Sequence, residues 1–187
     1  LPPRSYLHPR ILPDGRQLAV EVEGVNHDFY VYDFERGVMT RITNDGLSHG
    51  PVWSPDSKYL AFRSWKAEMV TMWRIPSDRS GPAERLTNIG KMQSVVSFSP
   101  DGDYLLFDQS DDRMNSVDVW VLPMRGDRRP RPFVSSRAVE GSAKFSPDGK
   151  WVAYCSTESG RAEVFIQPWP GPGPKIQISS DGGTDPI

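Results

Sequence analysis

The chain is written in short apolar runs, each ended by polar residues or a turn signal. One series reads Leu18-Ala-Val-Glu-Val22, Tyr59-Leu-Ala-Phe62, Tyr104-Leu-Leu-Phe107 and Trp151-Val-Ala-Tyr154. A second reads Phe29-Tyr-Val-Tyr32, Met72-Trp-Arg-Ile75, Val119-Trp-Val-Leu122 and Val164-Phe-Ile-Gln167. Runs this short, rich in aromatic and β-branched residues, predict strands. A shorter piece follows each pair: Thr40-Arg-Ile-Thr43, Glu84-Arg-Leu-Thr87, Pro132-Phe-Val-Ser135 and Lys175-Ile-Gln-Ile178. The 18 prolines and 16 glycines are spread along the chain at turn-like positions, which favours many short strands over long helices.

The runs recur in a fixed order, set by a turn. Ile11-Leu-Pro-Asp-Gly15, Trp53-Ser-Pro-Asp-Ser57, Phe98-Ser-Pro-Asp-Gly102 and Phe145-Ser-Pro-Asp-Gly149 place prolines at 13, 55, 100 and 147, spaced by 42, 45 and 47. Proline presets the first backbone angle of such a turn, aspartate bonds the local backbone, and glycine accepts the left-handed conformation that closes it. A period near 45 residues is that of one four-stranded propeller blade, and a segment before each turn supplies the fourth strand. A lone four-stranded sheet cannot bury aromatic residues on both faces, so neighbouring sheets must stack. Trp53, Phe98 and Phe145, one before each Ser-Pro-Asp, are the expected packing residues between sheets. The chain therefore reads as all-β, a single β-propeller region over 1–187. Its blades are expected at about 8–44, 50–88, 94–136 and 141–180, with 181–187 starting a fifth and residues 1–8 a lead-in.

The four Pro-Asp turns, close to Phe/Trp-Ser-Pro-Asp-Gly in three copies and Ile-Leu-Pro-Asp-Gly in the first, each followed by a strand like Lys150-Trp-Val-Ala-Tyr154, resemble the TolB-like, PD40-type (WD40-like) propeller repeats of bacterial proteins. Glu163-Val-Phe-Ile-Gln-Pro-Trp-Pro-Gly171 and Ser179-Ser-Asp-Gly-Gly-Thr-Asp-Pro186 are similar to propellers C-terminal to the membrane span of bacterial receptor Ser/Thr kinases. The resemblance implies a scaffold for protein or ligand binding and an extracytoplasmic location. Propellers of this type have six or more blades, so four imply either part of a larger propeller or copies that associate to complete a ring.

Composition narrows the function classes. The formal charge of −2, with both signs mixed, gives no electrostatic footprint of a nucleic-acid binder. No apolar run approaches the roughly 18–20 residues of a membrane span, and the chain begins with no signal-type segment, so its ends read as processing ends and leave the compartment open. The one cysteine, Cys155, lies in an apolar run and reads as a buried strand thiol.

Gly46-Leu-Ser-His-Gly50 matches G-x-S-x-G, the spacing of a hydrolase nucleophile. That motif needs a strand-to-helix turn. Pro51 and Pro55 forbid the helix, so Ser48 reads as part of the connection between the first two blades. Propellers place ligands at the mouth of the central channel, and the loops there supply His8, His49, Gln93, Glu140 and Asp185. Histidines and carboxylates can hold a divalent metal. Aligned on Pro13 and Pro55, however, His8 and His49 fall one position out of step, and no H-E-x-x-H spacing exists. They read as solvated rim residues, with neither metal nor cofactor expected. Asp111-Asp-Arg-Met-Asn-Ser-Val-Asp118 lacks the calcium-loop spacing. Arg125-Gly-Asp-Arg-Arg-Pro-Arg131 reads as a solvated turn. The expected function is a non-catalytic interaction or ligand-sensing scaffold within a larger bacterial protein. The alternative is the substrate-gating propeller of a prolyl-oligopeptidase-type hydrolase whose catalytic domain lies elsewhere in the chain.

Overall fold

The computed structural model describes residues 3–24, 27–65, 70–88, 91–110, 116–171 and 173–186. The acidic stretch 111–115 lies outside them. The chain forms two compact units, Leu1–Gly90 and Lys91–Ile187, each built of two antiparallel four-stranded sheets in simple meander order.

In the first unit, β1 (Ser5–Ile11), β2 (Gln17–Glu23), β3 (Asp28–Asp33) and β4 (Val38–Arg41) form one sheet. β5 (Ser48–Trp53), β6 (Tyr59–Ser64), β7 (Thr71–Pro76) and β8 (Glu84–Arg85) form the other. In the second unit the sheets are β9 (Gln93–Phe98), β10 (Tyr104–Ser110), β11 (Val117–Pro123) and β12 (Arg131–Val134), then β13 (Glu140–Phe145), β14 (Trp151–Ser156), β15 (Glu163–Pro168) and β16 (Ile176–Gln177). The expected lead-in ends earlier than residue 8: β1 begins at Ser5, and its alternation is masked in sequence by a bulge between Leu7 and Arg10. Residues 181–186 form no strand; Gly183 instead donates its amide to Ala162 at 3.0 Å.

The turn between the first two strands of a sheet is a small hydrogen-bonded device. In the second sheet Ser54 Oγ donates to Asp56 at 2.6 Å and accepts the Tyr59 amide at 2.9 Å, while the Lys58 amide reaches Asp56 at 3.1 Å. Ser99–Asp101–Tyr104 and Ser146–Asp148–Trp151 repeat it. The first copy has Leu12 in place of serine and keeps only the Arg16 amide on Asp14. The fourth residue of the device is left-handed in every copy: Gly15, Gly102 and Gly149 at φ 75°, 74° and 69°, and Ser57 at 63°.

Each unit buries its own core. In the first, Ala19, Phe29 and Val31 of one sheet meet Trp53, Leu60 and Phe62 of the next. Phe29 and Phe62 contact edge to face at 5.0 Å, and Trp53 adds a hydrogen bond from Nε1 to the Arg10 carbonyl at 2.9 Å. Burying a ring the size of Phe62 contributes about 2–3 kcal/mol. In the second unit Leu106, Val119 and Val121 meet Ala143, Val152, Tyr154 and Phe165, with Phe145 packed at the margin. The first strand of the later sheet lies against the earlier one, β5 on β1–β3 and β13 on β9–β11. That placement brings strand-start residues of one sheet onto the middle of its neighbour.

Candidate functional site: three histidines on one buried carboxylate

Counting eight residues on from each turn proline gives Glu21, Arg63, Asp108 and Cys155. All four occupy the same place on the second strand of their sheets, opposite Leu7, His49, Ser94 and Gly141 on the first. Counting five residues back gives His8, Gly50, Val95 and Ser142. At three of these the first strand bulges and the backbone turns left-handed, with φ 48° at His8, 60° at Gly50 and 55° at Ser142. A bulge re-aims the groups around it. Here it points the Gly50 amide at Glu21 (3.1 Å) and the Ser142 amide at Asp108 (3.2 Å). The left-handed Asp185 (φ 52°) and its neighbour Gly183 stand in the same relation to Cys155, whose thiol donates to the Gly183 carbonyl at 3.1 Å.

At Glu21 this arrangement is elaborated. The chain contains three histidines, and all three place Nδ1 on that one carboxylate: His8 on Oε2 at 2.9 Å, His27 on Oε1 at 2.7 Å and His49 on Oε1 at 2.9 Å. With the Gly50 amide, the carboxylate accepts four hydrogen bonds while only 1% exposed. Burial alone would raise the Glu21 carboxyl, but the bonds from His8, the Gly50 amide, His27 and His49 outweigh it and hold it at about 2, below its ordinary 4.5. An ionised carboxylate can only accept, so each Nδ1 carries a proton, and in the neutral form of a ring the lone pair lies on Nε2. Burial also holds the His49 imidazole below its ordinary 6.5, against the pull of Glu21.

Local sequence explains the convergence. His8 lies at the β1 bulge and His49 immediately before the β5 bulge, so residues one step apart in sequence alignment reach the same group. His27 enters from the β2–β3 connection, held beside the strand leading to β5: its amide donates to the Gly46 carbonyl, and the Ser48 amide donates to its own, both at 3.1 Å. Buried Asp28 fixes that segment, accepting the Thr43 hydroxyl at 2.8 Å, the Arg41 guanidinium at 2.5 Å and the Gly46 amide at 3.2 Å. The His27 and His49 rings then stand 4.5 Å apart between centroids.

The other expected site residues have different roles. Gln93 and Glu140 are not solvated rim residues: both are fully buried strand-start side chains. Gln93 Nε2 donates to Gln109 at 2.9 Å, and Glu140 accepts Ser136 Oγ at 2.5 Å. Ser48 is the corresponding residue of its sheet, equally buried, and its Oγ donates to Asp45 at 3.1 Å. Its neighbour His49 is turned to Glu21, so Ser48 and His49 do not form a nucleophile and base. Asp185 accepts Ser142 Oγ at 2.8 Å. Glu21 and His27 were missed in the sequence, although Glu21 lies in a run whose other residues are apolar. Asp108 adds a second perturbed acid: burial pushes its carboxyl up to about 6 despite the Ser142 amide. Its Oδ1 is buried without a partner among the described residues.

No family model matches the chain. In sequence it is 30% identical over 152 residues to the uncharacterized protein Atu1656 of Agrobacterium fabrum, covering 76% of this chain and 52% of that protein. It is 27% identical over 191 residues to the uncharacterized peptidase YuxL of Bacillus subtilis, covering 80% of this chain and 29% of that one. The chain thus spans at most about half the length of these relatives. In structure it is similar to TolB of Acinetobacter baumannii, with a TM-score of 0.80 and 24% identity over 94% of this chain and 44% of that one. Four meander sheets, a recurring Ser-Pro-Asp turn and this structural match together make the chain a TolB-like β-propeller fold.

Proposed function

We propose that this chain is the interaction part of a longer, extracytoplasmic bacterial protein, a non-catalytic scaffold that binds a protein or small ligand through its first unit, at the second-strand position that Arg63 holds. One observation carries the reading. The repeat keeps its turn and its packing residues nearly constant while this one strand position runs through acid, base, acid and thiol. A repeat frame with a variable polar position is how such folds build recognition surfaces. The blades of this chain are proposed as part of a ring completed by further blades or by a second copy.

A second reading draws on the peptidase-named relative: the propeller gates substrate for a hydrolase domain elsewhere in the polypeptide. One experiment separates the two. Partner capture by cross-linking is compared between wild type, Arg63→Glu and Ser48→Ala, alongside ester and peptide hydrolysis by the full-length protein. The scaffold reading expects the same partner with wild type and Ser48→Ala, its loss with Arg63→Glu, and no hydrolysis. Hydrolysis by the full-length protein, with no partner sensitive to Arg63→Glu, overturns it.

A further inference from the structure

We infer that Glu21, His27 and His49 form a binding site for a zinc-class divalent cation, with His8 holding the second carboxylate oxygen. This site is independent of the partner-binding reading.

A buried carboxylate can be satisfied by a guanidinium, a hydroxyl and a backbone amide, as Asp28 is. Glu21 instead gathers every histidine of a 187-residue chain, from three separate segments. Imidazole nitrogen with a carboxylate oxygen is the donor set that suits zinc.

Geometry agrees. One ligand atom each from Glu21, His27 and His49 lies within 4.8 Å of the other two. Zinc bonds of about 2.0–2.2 Å at a tetrahedral centre put ligand atoms about 3.3 Å apart. The His27 and His49 Nδ1 atoms stand 2.7 and 2.9 Å from Glu21 Oε1, so the group needs to open by about half an ångström. Accessibility is graded in the sense a bound ion requires: Glu21 1% exposed at the base, His49 15%, His27 31% and His8 46% toward solvent.

The protons balance. Glu21 is already ionised and gives up none. The ion takes the place of the two Nδ1 protons, and each neutral imidazole takes one proton from solvent onto Nε2. For a neutral ring the exchange is a change of tautomer with no net release. The fourth position is left to water. His8 and the Gly50 amide, both on Oε2, hold the carboxylate in place, as groups one step behind a metal ligand do.

The test is calorimetric titration of the chelator-treated full chain with Zn2+ alone. One equivalent is expected. His27→Ala and His49→Ala should each bind at least ten-fold more weakly, His8→Ala less so, and Ser57→Gly as wild type does. Since Glu21→Gln and His49→Ala remove buried groups, circular dichroism accompanies every titration. His27→Ala is decisive, because His27 is partly exposed and lies outside the strands. Co2+ in place of Zn2+ should give the visible absorption of a four-coordinate nitrogen and oxygen site, lost in His27→Ala. Binding well below one equivalent, or full-strength binding in a folded His27→Ala, overturns the assignment.

Discussion

Replacing Glu21 with glutamine keeps the shape of the side chain and removes its charge. The consequence can be worked from the structure. The carboxyl sits at about 2 in place of its ordinary 4.5, a difference of about 2.5, and each tenfold change in proton affinity is about 1.4 kcal/mol. The ionised group therefore contributes about 3 kcal/mol to folding. The sign follows from the depressed value. This stability is present above pH 4.5, where the unfolded chain is also ionised, and is lost as pH falls toward 2. Glutamine also puts an NH2 group in place of one accepting oxygen, facing either His8 and the Gly50 amide or His27 and His49. Urea unfolding of wild type and Glu21→Gln at pH 7 should differ by about 3 kcal/mol, or roughly 1–1.5 M in midpoint for a slope of 2–3 kcal/mol/M. The gap should narrow steadily below pH 4.5. Equal midpoints at pH 7, or a gap unchanged between pH 7 and pH 3, would refute the reasoning.

Two further substitutions probe the repeat frame and the second perturbed acid. Ser57 holds the left-handed angle that glycine holds in the other three copies, so Ser57→Gly should stabilise by about 0.5–1 kcal/mol in urea unfolding, the relief of strain exceeding the added chain entropy. Asp108 is raised by burial to about 6, so the folded chain holds that proton more tightly than the unfolded one, and ionisation costs stability progressively from about pH 4 to above pH 6. Asp108→Asn should then gain about 3 kcal/mol at pH 7.5 and little at pH 4, read from the pH dependence of its urea midpoint.

The fold was legible because its signals are local and repeated. Pro-Asp, flanked by serine and glycine in most copies, announces each turn through backbone chemistry that needs no tertiary partner, and the aromatic runs that follow can be buried only by stacked sheets. Where the sequence misled, a tertiary feature intervened. The bulge at His8 and Pro9 hid the start of β1 and made His8 and His49 look out of step. Gln93 and Glu140 looked like loop polars, although they begin strands and point inward. Glu21 passed as one polar residue in an apolar strand. Carried eight residues past the turn prolines in all four copies, the same alignment exposes it as one of a row with Arg63, Asp108 and Cys155. His27 could not have been assigned that way, because its place depends on the pairing of residues 27 and 46–48, which Asp28 and Thr43 secure.

Glu21 is expected to fix three imidazoles in one tautomer. Nitrogen-15 NMR of the histidine side chains in chelator-treated protein at pH 7.5 tests that directly. His8, His27 and His49 should all be protonated at Nδ1 and bare at Nε2, reverting in Glu21→Gln to the Nε2–H form that a free imidazole prefers. Nε2–H tautomers at His27 and His49 in the wild-type protein, unchanged by Glu21→Gln, would contradict it.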